Sequence, residues 1–91
     1  MECNMAHIVA LSTLRGFDLS IYEEPQIAVF DKPEDYQKNA VAKVMDKGRE
    51  TNVIMLGSNT DDLRWDIRKH TNLVWSPRGK DDVPELVGVY L

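Results

Sequence analysis

Ninety-one residues bound this chain to a single domain, 1–91, with no room for a second core. Eleven basic residues against fifteen acidic ones give a net charge of −4, which weighs against a nucleic-acid-binding face because such a face needs a surplus of Lys and Arg. An apolar share of 43% and a charged share of 29% argue against disorder, and no apolar segment approaches the roughly 20 residues that cross a bilayer.

The single cysteine, Cys3, cannot form an internal disulfide, so nothing points to an oxidising compartment. The start of the chain has neither a basic n-region nor a secretory cleavage site, and a cytoplasmic protein is the expectation.

Residues 5–14 are apolar and read two ways. As a helix, Asn4 would cap it, Met5, Ile8, Leu11 and Leu14 would form one stripe, and Gly16 would supply the left-handed C-terminal residue. As a strand, the β-branched Ile8, Val9 and Thr13 fit, and Arg15-Gly16 becomes a turn. The helical reading is preferred. Phe17-Asp18-Leu19-Ser20-Ile21-Tyr22 then alternates as a half-buried strand does, and Glu23-Glu24-Pro25 breaks it. Gln26-Ile27-Ala28-Val29-Phe30 resumes as a short apolar strand.

Asp31-Lys32-Pro33-Glu34-Asp35 has the chemistry of a helix start: proline in the first turn, with acids complementing the dipole. Tyr36, Ala40, Val41, Val44 and Met45 follow as one core-facing stripe, Lys38, Lys43 and Lys47 hold the other face, and Gly48 ends the helix. Val53-Ile54-Met55-Leu56 predicts a strand covered on both faces. In the loop Gly57-Ser58-Asn59-Thr60, any of the last three residues can cap a second helix. That helix has Asp61 and Asp62 in its first turn, Arg68, Lys69 and His70 in its last, and Leu63 and Ile67 as its apolar ridge. Leu73-Val74-Trp75 is a further strand, 76–84 a polar loop with two prolines, and 86–91 a terminal strand.

Two successive strand–helix–strand units imply parallel pairing and right-handed crossovers, with the last strand antiparallel to its predecessor. The expected fold is α/β: a small single-domain sandwich with a mixed sheet of four to five short strands and two to three helices.

Four clusters bear on function. The Gly57-Ser58-Asn59-Thr60 loop could hold an anion or nucleotide at a helix N-terminus. It lacks a phosphate-binding fingerprint, though, and Asp61 and Asp62 would repel an anion, so capping explains it better. Asp62, Asp66 and His70 share a helical face, but three ligands on one exposed helix make a poor closed site, and no metal is expected. His7 and Cys3 lie on a terminal segment, where a nucleophile would be badly held, and no catalytic residue is assigned.

The fourth cluster is Trp65. At 100° per residue it points away from the Leu63–Ile67 ridge, between Arg64 and Arg68, which is an interface composition unless the neighbouring loop 76–84 covers the ring. Arg78, in the Arg78-Gly79-Lys80 turn, adds a second basic point on a loop.

The expected function is therefore a non-enzymatic interaction protein without cofactor. It would be a small cytoplasmic regulator or inhibitor of the kind common in phages and mobile elements, binding a protein partner through Trp65, Arg64, Arg68 and Arg78. No nucleic acid and no membrane are expected as partners. Homodimerisation is a corollary, either through a free edge of the terminal strand or by burial of Trp65. The competing reading is a small-ligand binder or minimal enzyme using Gly57, Ser58, Asn59 and Thr60.

Overall fold

Burying apolar residues that alternate along extended chain requires a sheet, and in the computed structural model, which describes residues 7–91, one sheet holds nearly all of them. Six strands, β1 (Val9–Leu11), β2 (Pro25–Asp31), β3 (Ala40–Asp46), β4 (Arg49–Gly57), β5 (Trp75–Pro77) and β6 (Leu86–Tyr90), lie in the order β1-β4-β3-β2-β6-β5. The β1–β4 pair is parallel and every other pair is antiparallel. A single α-helix, α1 (Thr60–His70), crosses one face of the sheet over β2, β3 and β4.

The expected sandwich of four to five strands with two to three helices is thus corrected: there are six strands and one α-helix among the described residues. The helix expected to begin at Pro33 is instead a loop of two tight turns, closed by Tyr36 N–H on the Pro33 carbonyl and Asn39 N–H on the Tyr36 carbonyl, followed by β3. Two features override the helical spacing. The run from Ala40 to Val44 is buried on both faces of a strand, with Ala40, Ala42 and Val44 in the main core and Val41 buried on the other side. Lys47 and Gly48 have φ of 53° and 77°. Asp46 pairs with Arg49 around them, so they form a two-residue hairpin turn in which both central residues are left-handed. The glycine that resembles a helix C-cap is a hairpin glycine.

The helical reading of 5–14 also gives way. Val9–Leu11 pairs in parallel with Val53–Met55, and the Asn52 side-chain amide donates to the His7 carbonyl to extend that edge. Met5, and the Asn4 cap proposed for it, lie outside the described residues. Gly16, at φ 79°, turns the chain under a Phe17 N–H to Leu14 carbonyl bond.

The strand expected over 17–22 is a 3-10 turn, Leu19–Ile21. Asp18 Oδ1 accepts from both the backbone N–H and the hydroxyl of Ser20, a local alternative to a ladder. The first of the two expected strand–helix–strand units becomes a pair of hairpins: β2 turns into β3 and β3 into β4. Only β4–α1–β5 keeps its helix, and β5 docks at the far edge of the sheet. The last strand is antiparallel to its predecessor, as expected. However, β6 lies between β2 and β5, so the dimer expected to form on its free edge has no edge to use.

The core lies between the sheet and α1. Leu63 and Ile67 pack on Ile27, Val29, Ala42, Val44, Val53 and Met55, and Leu14 and Tyr90 close the margins. Each fully buried aliphatic side chain here contributes roughly 1.5–3 kcal/mol. Thr51 fills the bulge in the β3–β4 ladder, donating its hydroxyl to the Val44 carbonyl and accepting from Val53 N–H. No helix among the described residues is long and apolar enough to cross a membrane.

Candidate functional site

The outer face of α1 is held firmly from beneath and at both ends. Asn59 is the N-cap: its Oδ1 accepts from Asp62 N–H at 2.8 Å, and its amide donates to the Asp62 carboxylate. Thr71 closes the C-terminus with its N–H and hydroxyl both on the Ile67 carbonyl. Gly57 admits Leu63, whose Cδ2 would lie only 2.8 Å from a Cβ at that position. The Gly57-Ser58-Asn59-Thr60 loop is thereby occupied as a cap and as a packing contact. The fold brings Ser12 beside Gly57 and Ser58 in a shared hollow, but the carboxylates of Asp62 and Asp66 border it too and disfavour an anion there.

Two long-range ties fix the flanks of the helix. Asp66 accepts from the Thr13 hydroxyl at 2.6 Å and from Leu14 N–H at 2.8 Å, clamping the segment after β1 against α1. His70 Nε2 lies 4.0 Å from the same carboxylate. On the other flank, the Arg64 guanidinium lies 3.8 Å from the Trp75 ring centroid and donates through Nε to the Tyr90 hydroxyl. Trp75 and Tyr90 are in contact at a 4.9 Å centroid separation. The Trp75 ring occupies the space a Cβ on residue 88 would need, which only glycine leaves open.

These ties sort the sequence candidates. Trp65 stands on the solvent side of α1, 67% exposed. Arg68 is exposed beside it and shares a concave surface with Trp65 and Asp61. Arg64 borders the same hollow, but its guanidinium is committed to Trp75 and Tyr90. Arg78 is not brought to this face; its Nη1 donates to the Asp82 and Val83 carbonyls and shapes its own loop.

Three residues reach the site that the sequence reading did not place there. Thr13, Arg15 and Lys69 border a cleft of about 590 Å³ alongside Trp65. Lys69 sits one helical turn beyond Trp65 and could have been found by spacing; Arg15, fifty positions away in sequence, could not. The exposed stripe of α1 is then Asp61, Asp62, Trp65, Arg68 and Lys69. Asp62, Asp66 and His70 are not drawn into one cluster, and no group of three or more His, Cys, Asp or Glu side chains placed to hold a metal ion is found among the described residues. A second hollow, of about 540 Å³, lies between the 3-10 turn and the C-terminus of α1, with Phe17, Tyr22 and Leu73 on its walls. The Asp18 carboxyl at its rim is held below the usual carboxylate range by the Ser20 hydroxyl and then by the Ser20 N–H. Comparison with family models, curated proteins and solved structures found no match.

Proposed function

We propose that this chain is a non-enzymatic interaction protein, a small cytoplasmic regulator or inhibitor that works by presenting the outer face of α1 to another protein. The observation that carries this reading is Trp65: a large ring left 67% exposed on a helix that is capped, clamped on both flanks and anchored in the core. A preorganised helix face loses little entropy on binding. Covering an indole ring removes apolar area worth roughly 2–4 kcal/mol from water, and tryptophan and arginine together are the residues on which interface energy concentrates.

The experiment is an affinity capture from cells of the native host, run in parallel with wild type and Trp65→Ala. A partner retained by wild type should be lost with Trp65→Ala, while the variant unfolds within about 0.5 kcal/mol of wild type because the ring supports no core contact. A partner held equally by both would refute the reading.

A further inference from the structure

The charges along the exposed stripe of α1 are arranged antisymmetrically about Trp65. Three and four residues before it stand Asp62 and Asp61; three and four residues after it stand Arg68 and Lys69. All five are exposed. At 100° per residue, Asp61 and Arg68 fall on one side of the tryptophan, about 40° and 60° round the helix, and Asp62 and Lys69 fall on the other side. Asp61 and Arg68 border one hollow together with Trp65, and Asp62 and Lys69 border hollows on the side of Ser12 and Thr13; over the C-terminal turn Arg68 and Lys69 also flank Trp65 together.

Such a stripe is complementary to its own copy. We propose that a second copy of this chain docks on the first through α1, antiparallel, about a two-fold axis at Trp65. That axis keeps each side of the helix on the same side and reverses its direction. Asp61 of one copy therefore meets Arg68 of the other, Asp62 meets Lys69, and the two Trp65 rings pack at the centre. Symmetry repeats each ion pair, and the antiparallel helix dipoles reinforce them. A parallel arrangement would set acid on acid and base on base, so the charge pattern also selects the direction.

None of Asp61, Arg68 and Lys69 is in an ion pair among the described residues, and Asp62 makes only the bonds of the N-cap. Arg15, beside Lys69, adds a cation on the side where Asp62 of the second copy arrives. The committed groups nearby, Arg64 on Tyr90 and Asp66 on Thr13, face their own chain. This inference rests on reading the α1 face as an interaction surface and names its occupant; a heterologous partner using the same face would compete with self-association.

Sedimentation of the full chain over a concentration series tests it. Wild type should pass from monomer to dimer, and Trp65→Ala should remain monomeric. Asp61→Lys/Asp62→Lys makes the stripe wholly basic, and Arg68→Glu/Lys69→Glu makes it wholly acidic. Each alone should dimerise at least about a hundredfold more weakly, and an equimolar mixture of the two should form a heterodimer. If Asp62 proves necessary to cap the helix, Arg68→Glu mixed with Asp61→Lys provides the same comparison on one side only and leaves the cap intact. A wild-type monomer at all concentrations would overturn the proposal, as would charge-reversed variants that self-associate like wild type. If the chain stays monomeric yet loses a captured partner on Trp65→Ala, self-docking fails while the interaction reading stands. If capture is also unaffected, both fail.

Discussion

Asp66 is the residue through which α1 holds the segment after β1. Helical spacing places it beside His70, and the two are indeed close, at 4.0 Å. Its shorter contacts are to Thr13 and Leu14, more than fifty positions away, and no local pattern announces those. Replacing it with alanine leaves the Leu14 N–H without its partner, so Asp66→Ala should cost about 1–3 kcal/mol in denaturant unfolding and accelerate amide exchange at Leu14. Unchanged exchange there would show that the clamp is dispensable. Gly88 is similarly silent in the sequence, a strand glycine whose reason appears only when the Trp75 ring is found lying on it. Gly88→Ala should lower stability by about 1–3 kcal/mol, read as a lower denaturation midpoint at unchanged slope. At Asp18 the folded-state pKa is depressed, so its bond to Ser20 is present above the ordinary carboxylate pKa and is lost as pH falls through the lowered value. The Ser20 amide resonance should therefore titrate in acid, and Asp18→Asn should flatten that titration.

At the scale of elements, legibility followed the range of the interactions. The helix α1 was readable in its ridge and charged ends and its cap was narrowed to three residues, of which the structure uses Asn59, because each of those is settled within four residues. The strand β2 and the 53–56 part of β4 were readable from continuous apolar runs between breakers, and the antiparallel closing pair from a loop with no helix in it, although β5 lies at Trp75–Pro77 rather than 73–75. The segment 33–48 was not. Its apolar spacing satisfies a helix stripe and a doubly buried strand equally, and the choice is made by β2 and β4 on either side of it. Lys47-Gly48 carried the discriminating information, since two left-handed residues between paired Asp46 and Arg49 make a hairpin. Substituting Gly48 with alanine should therefore destabilise the β3–β4 hairpin by about 1 kcal/mol or more, since alanine is strained at φ 77°, although its Cβ would meet nothing within 4 Å. A helix C-cap in that position would have placed the effect on helix content instead. Far-UV circular dichroism separates the two.

In the molecule as a whole, the sheet holds one helix by one face and leaves the opposite helix face to solvent. The core fixes which residues those are: with Leu63 and Ile67 inward, Trp65 must point outward. This much of the candidate site was legible from 100° periodicity alone. What spacing could not show is that Arg64 turns aside to Trp75, that Arg78 stays within its own loop, and that Arg15 arrives from the segment after β1. The resulting surface is an apolar ring at the centre of a balanced stripe of charge, on a rigid support. On the proposal made above, Trp65 is covered by another protein chain in the working state. Oxidative footprinting of dilute protein, with and without extract of the native host, measures this most directly, with half-buried Trp75 as the internal reference. Trp65 should be modified rapidly in buffer and protected on adding extract, with no change at Trp75. Modification of Trp65 at the same rate in both conditions, or protection in dilute buffer as deep as that of Trp75, would contradict it.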